Sequence, residues 1–83
     1  MDPQKLIEKA RASDLVGDQP PEITPDGVIF FGEPLDFKIQ EFEGSYTVEA
    51  RDHEGEDTFV GPDWTDTTIW FDWDEMIRWI FEY

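Results

Sequence analysis

The chain has 83 residues, of which 21 are Asp or Glu and six are Lys or Arg, so its formal net charge is −15 at pH 7. It has no cysteine, which excludes disulfides, thiolate catalysis and cysteine-ligated zinc. No apolar run reaches the ~18 residues of a membrane span, and no basic segment followed by an apolar one marks a secretory signal. We therefore expect one domain spanning residues 1–83, located in the cytoplasm and without a membrane partner.

The N-terminal segment predicts a helix. Asp2 can cap it, and Pro3 suits its first position. Leu6 and Ala10 recur at helical spacing, and Gly17 is the expected end.

A hairpin is the clearest prediction for the middle of the chain. Residues 18–27, rich in Pro, Asp and Gly, indicate an extended linker that ends in a turn, and residues 28–31 read as a strand. Apolar and polar residues then alternate with period two over 35–40 and again over 46–51. Because Glu43-Gly44 between them offers a turn, the two stretches should pair as antiparallel strands.

The C-terminal third predicts a further turn, short strands and a helix. Residues 58–60 and 67–71 are β-prone, and Asp72 can cap a helix over about 73–82. The order is helix, three or four strands, helix. This order favours an α+β two-layer domain with an N-terminal helix, a three- to four-stranded antiparallel sheet and a C-terminal helix packed on the sheet.

The residue types that carry catalysis are scarce. Ser13 and Ser45 lie in no nucleophile motif, and no glycine-rich phosphate loop is present. Carboxylates crowd residues 52–57, but their spacing is not that of a calcium-binding loop, so we expect a solvated turn with His53 exposed. The sequence thus predicts no enzymatic activity, no catalytic residues, no metal and no cofactor.

The charge is dense enough to bear on function. A folded chain of this size exposes on the order of 5,000 Å², or about one net negative charge per 340 Å². Duplex DNA, taken as a cylinder ~20 Å wide, carries about one charge per 110 Å². If the acidic side chains gather on one face, that face approaches the charge density of nucleic acid.

Strand geometry offers such a face. Alternate side chains on a strand lie ~6.6 Å apart, which is close to the spacing of successive phosphates. We expect carboxylates of the exposed sheet face and the adjoining loops to contact a partner. They are Asp36, Glu41, Glu43, Glu49, Asp52, Glu54, Glu56 and Asp57.

Aromatic residues crowd the chain between Trp64 and Tyr83. Most should lie in the core, but the apolar arc of the last helix covers about 200°, more than one sheet contact requires. We therefore expect Trp79, Phe81 or Tyr83 to reach a partner or a second copy of the chain, which would give a homodimer.

In its size, its acidity and its lack of cysteines and catalytic motifs, the chain resembles the phage-encoded DNA-mimic inhibitors, including anti-CRISPR and anti-restriction proteins. The resemblance implies a protein that blocks the basic nucleic-acid-binding site of a bacterial defence complex, such as a CRISPR-Cas effector, in the host cytoplasm. Such a protein binds a basic protein surface and does not bind nucleic acid itself. Three alternatives stay open: an immunity or antitoxin protein that neutralises a basic toxin or nuclease, a halophile protein acidic for solubility, and a phage structural protein.

Overall fold

The computed structural model describes residues 2–32, 35–53, 63–65 and 67–82. Its elements are α1 (Pro3–Ala12), β1 (Glu22–Ile23), β2 (Val28–Phe30), β3 (Leu35–Phe42), β4 (Ser45–Asp52), β5 (Thr68–Trp70) and α2 (Trp73–Glu82). The five strands form one sheet in the order β1-β2-β3-β4-β5, with each strand antiparallel to its neighbours. The predicted α+β architecture is confirmed, with one more strand than expected.

The residues of the β3–β4 hairpin alternate between the two sides of the sheet. Phe37 pairs with Ala50 and Ile39 pairs with Val48, so their side chains lie on the same side of the sheet. Both helices cover this side and close a single core over it; we call it the helix-covered side. The alternate residues lie on the opposite side, which we call the open side. They include Asp36, Lys38, Gln40 and Phe42 of β3, and Thr47, Glu49 and Arg51 of β4.

A two-residue loop sets the register of this hairpin. Because Phe42 pairs with Ser45, only Glu43 and Gly44 connect the strands. Both have positive φ angles, +48° and +82°, which is the pattern of a type I′ turn. Glycine adopts this backbone without cost, whereas Glu43 holds it against the usual preference for Asn, Asp or Gly.

The ends of the helices follow local capping. The Asp2 carboxylate accepts hydrogen bonds from the backbone N–H groups of Gln4 and Lys5, as expected for an N-cap. The expected C-terminal end at Gly17 is wrong. The helix ends at Ala12, and Asp14 then takes a φ of +59°, which is the left-handed conformation that ends many helices.

Two further predictions concern the linker over residues 18–27 and the short strand over residues 58–60. The segment predicted as an extended linker over 18–27 contains β1. This strand has only two residues, both exposed, which is too short for a period-two pattern to mark it in the sequence. Residues 58–60, predicted as a short strand, lie outside the described residues. Neither described helix combines the length and apolar content needed to cross a membrane.

Gly27 permits the close approach of β2 and β3. A Cβ at this position would lie 2.5 Å from the carbonyl oxygen of Ile39 and 2.7 Å from Cγ of Gln40. Since Ile39 contributes strand backbone, Gly27→Ala should force the strands apart and lower the free energy of unfolding by about 1–3 kcal/mol in urea titrations.

Gly17→Ala is the control for this prediction. Its Cβ would meet a single atom, the carbonyl oxygen of Phe31, at 3.9 Å. We expect a change below about 1 kcal/mol, toward greater stability. Equal stabilities of the two variants would contradict the described packing of β2 on β3.

Candidate functional site

The carboxylate array predicted on the exposed sheet face does not form, because its central member is buried. Asp36 is 1% exposed. Its Oδ2 accepts a hydrogen bond from Arg51 Nε at 3.3 Å. Its Oδ1 accepts one from the Gly32 N–H at 3.2 Å and lies 2.7 Å from His53 Nδ1. A buried carboxylate needs such donors, so Asp36 serves the fold, and the prediction that it is accessible to a partner is wrong.

His53 is likewise not the exposed turn residue that was expected. It is half-buried, with Nδ1 2.7 Å from Asp36 Oδ1 and its ring in a T-shaped arrangement with the ring of Phe31. The ring also lines an open cleft of about 370 Å³ together with Gly17, Asp18, Gln19, Phe31 and Gly32. An imidazole oriented by a carboxylate can act as a general base, but these lining residues include no Ser, Thr or Lys whose nucleophile it could activate. In the described ranges, no three His, Cys, Asp or Glu side chains are placed to hold a metal ion.

The remaining charges that β3 and β4 place on the open side are also paired, whereas Glu22 of β1 lies on the same side and is exposed. Lys38 Nζ lies 3.8 Å from Glu49 Oε2 across β3 and β4. The ring of Trp64 covers two cations at once: its centroid is 5.1 Å from Lys38 Nζ and 4.4 Å from Arg51 Cζ, both within cation–π range. Glu49 therefore lies beside a positive charge of its own chain and is a weak contributor to an anionic surface.

On the helix-covered side, α1 supplies a third cation that is engaged within the fold. Lys9 Nζ donates a hydrogen bond to Tyr46 Oη at 2.7 Å and lies 5.2 Å and 5.5 Å from the ring centroids of Tyr46 and Trp73. The hydrogen bond to Tyr46 raises the pKa of Lys9, with a smaller contribution from Glu41. Lys9 is therefore charged at neutral pH, and three of the six basic residues are held by rings or carboxylates of the chain itself.

The other predicted contact residues have mixed outcomes. Asp52 is 3% exposed, so its predicted accessibility is wrong. Glu41 is half-buried opposite Tyr46, at the margin of the helix-covered side. Glu43 is exposed in the β3–β4 turn, where the prediction placed it. Glu54, Glu56 and Asp57 lie outside the described residues.

A different group of exposed carboxylates lies toward one end of the sheet. The β1–β2 turn approaches Gln40 through Gly27. On the other side, Trp70 pairs with Tyr46, and the Trp73 ring lies 5.3 Å from the Tyr46 ring. Residues 24–27, 43–44 and 71–75 therefore share this end, which we call the turn end. Its exposed acidic residues are Asp26, Glu43, Asp72, Asp74 and Glu75.

Local structure explains why acids occupy the start of α2. The Asp72 Oδ1 accepts a hydrogen bond from the Glu75 N–H at 3.1 Å, so Asp72 is the N-cap. Asp74 and Glu75 stand in the first helical turn, where the helix dipole favours negative charge. The capping pattern was visible in the sequence, but the meeting of these residues with Glu43 was not, because it depends on how β5 pairs with β4.

The aromatic residues between Trp64 and Tyr83 divide into packed and exposed rings, but the division differs from the expected one at Trp79, which packs inward, and at Phe71, which is exposed. Trp70, Trp73 and Trp79 pack against the core, whereas Phe71 and Phe81 are 81% and 58% exposed. Tyr83 lies outside the described residues, and a homodimer through these rings stays a prediction. Comparison of the chain with family models, curated proteins and solved structures gives no match in any of the three.

Asp36 and Glu49, two of the four carboxylates on β3 and β4, should respond differently to substitution. Asp36→Ala removes the acceptor of the Gly32 N–H and of the Arg51 guanidinium, and the group that His53 Nδ1 contacts, and we expect a loss of about 2–3 kcal/mol in the free energy of unfolding. Glu49→Gln removes a partly exposed ion pair and should cost less than about 1 kcal/mol. Urea unfolding of both variants measures this difference, and an equal loss would show that Asp36 is not the buried anchor described here.

Proposed function

We propose that this chain is an acidic inhibitor that acts as a nucleic-acid mimic and binds the basic nucleic-acid-binding surface of another protein through its turn end. One observation carries the proposal. Lys9, Lys38 and Arg51 are engaged with rings and carboxylates of their own chain, whereas acidic residues crowd an exposed end. The chain thereby separates its charges and presents carboxylates outward.

The exposed charges of the described chain support this reading. The exposed acidic residues are Asp2, Glu8, Asp14, Asp18, Glu22, Asp26, Glu43, Asp63, Asp72, Asp74, Glu75 and Glu82. Of the three basic residues not discussed above, Lys5 and Arg11 lie on α1 and Arg78 lies on α2. None of the three falls within residues 24–27, 43–44 or 71–75, where carboxylates can steer a basic partner toward binding. Two cations lie at the margin of this end: Lys9 over the Trp73 ring, and Arg78 one helical turn beyond Asp74 and Glu75.

The partner class follows from the chemistry of the surface. A site lined with Lys and Arg to neutralise phosphates would accept closely placed carboxylates and release its counterions in a comparable way. We propose a nucleic-acid-binding component of a bacterial defence complex, such as a CRISPR-Cas effector, as the target. A basic toxin or nuclease would present the same chemistry, and the identity of the captured protein separates the two.

Capture followed by competition tests the proposed function. The immobilised chain is incubated with bacterial lysate, the retained protein is identified by mass spectrometry, and its binding to duplex DNA is then measured with increasing amounts of the chain. We expect a nucleic-acid-binding protein whose DNA binding is lost at stoichiometric ratio, with an affinity for the chain that falls steeply as salt rises. A partner that still binds DNA, or an affinity indifferent to salt, would contradict the proposal.

Two charge-matched variants separate the turn end from net charge. The turn-end variant is Glu43→Gln, Asp72→Asn and Glu75→Gln, in which Asn keeps the helix cap. The control is Glu8→Gln, Asp18→Asn and Glu82→Gln. Each removes three negative charges from a net charge of −15. We expect the turn-end variant to lose at least about tenfold in affinity and the control to lose less than about threefold. Equal losses would mean that net charge alone drives binding.

A further inference from the structure

Three exposed apolar side chains lie together beside the carboxylates of the turn end. Phe42 and Ile69 belong to the open side, since Phe42 pairs with Ser45 and Ile69 pairs with Thr47. Phe71 follows Trp70 at the end of β5. The exposed fractions are 71% for Phe42, 62% for Ile69 and 81% for Phe71. We call these three residues the apolar patch.

The patch is large for so small a chain. Adjacent strands lie ~4.8 Å apart, so Phe42 and Phe71 flank Ser45 at about 10 Å from each other. With side chains of this size, the exposed apolar area is roughly 400 Å². Patches of this area on a monomer are often functional, and this one serves no contact in the described core.

The charge around the apolar patch favours a basic protein over a second copy of this chain as the partner that covers it. A second copy of the chain would also carry −15 and would bring Glu43 and Asp72 against like charges, which costs several kcal/mol. The patch also supplies only about half of the ~800 Å² per partner that a stable interface buries. A basic protein instead meets carboxylates at the rim and apolar surface at the centre.

Contacts within the fold illustrate how a cationic side chain of such a partner could bind, namely over an aromatic ring and near a carboxylate. Lys9, Lys38 and Arg51 each lie over an aromatic ring with a carboxylate near by. Phe42 and Glu43 are consecutive and both exposed, as are Phe71 and Asp72, so an aromatic ring and a carboxylate are both accessible at each of these two places. A cationic side chain of a partner would find the same pair of groups there.

We propose that Phe42, Ile69 and Phe71 form the apolar centre of the docking surface for a basic protein, whose Arg and Lys side chains pair with Glu43 and Asp72 at its rim. The inference rests on the proposed function and adds to it the specific contact surface. It gives the partner a stated chemistry: cationic side chains interspersed with apolar ones, such as a basic segment with alternating arginine and leucine. Central apolar contacts with a charged rim are the usual anatomy of protein interfaces.

Two labelled ten-residue peptides test this surface, one alternating Arg with Leu and the other alternating Arg with Gly, so that each carries five arginines. Fluorescence anisotropy measures their affinities for the full chain. We expect about tenfold tighter binding of the Arg-Leu peptide because its leucines bury part of the patch. We also expect amide NMR shifts concentrated at residues 42–45 and 69–72.

Matched variants locate the effect. Phe42→Gln with Phe71→Gln should abolish the preference for the Arg-Leu peptide without changing the salt dependence, since no charge is altered. The control, Ile23→Gln with Phe81→Gln, removes two other exposed apolar side chains and should keep the preference.

The possible failures are distinguishable. Equal, salt-sensitive affinities of the two peptides would overturn the apolar patch while leaving the proposed function in place. Absence of salt-sensitive binding to either peptide would count against the proposed function itself. A dimer in sedimentation velocity that Phe42→Gln with Phe71→Gln dissociates would show that a second copy occupies the patch and would overturn the inference.

Discussion

The fold depends on keeping its few cations next to its own carboxylates and aromatic rings. Arg51 bonds Asp36 across the central hairpin, and Trp64 covers both Arg51 and Lys38. On the other side of the sheet, Lys9 joins α1 to Tyr46 of β4 and Trp73 of α2. These contacts bridge elements distant in sequence, and they relieve part of the self-repulsion that a net charge of −15 imposes on a compact chain.

This arrangement has a consequence for the surface. Lys38 and Arg51 are paired with Glu49 and Asp36 on β3 and β4, so they do not neutralise the acids of the turn end; Lys9 alone of these three cations lies at its margin, over Trp73. The same end also contains a residue in an unfavourable backbone conformation. Glu43 has a φ of +48°, a value at which Asn or Gly would be more stable. A carboxylate at position 43, where stability would favour another residue, is consistent with a binding role for this end, whereas Asp72, Asp74 and Glu75 also stabilise the start of α2.

Much of the fold could be predicted from local patterns. Period-two alternation marked β3 and β4, and a capping Asp marked the start of each helix. The hairpin register was also within reach, because a two-residue loop at Glu43-Gly44 pairs Asp36 with Arg51 and Lys38 with Glu49. That register places a basic residue opposite Asp36 and another opposite Glu49, so it could have shown that these two carboxylates are paired and do not form a free array.

Other features depend on tertiary contacts that no local pattern carries. The burial of Asp36 needs His53 and the Gly32 N–H, which come from outside the hairpin register. The gathering of Glu43 with Asp72 needs the pairing of Tyr46 with Trp70, and β5 reaches β4 through a segment whose length sets no register. The exposure of Phe42 and Phe71 was equally hard to predict, since each belongs to a stretch whose other aromatic residues pack inward.

The central claim is that negative potential concentrates at the turn end and is weak on the open side of β3 and β4. NMR relaxation enhancement by a cationic and an anionic paramagnetic cosolute measures the local potential at each hydrogen of the free chain, without any partner. The account predicts the most negative values at Asp26, Glu43 and residues 72–75, with clearly weaker values beside Lys38 and Arg51. A potential as negative around residues 36–51 as at the turn end would contradict it.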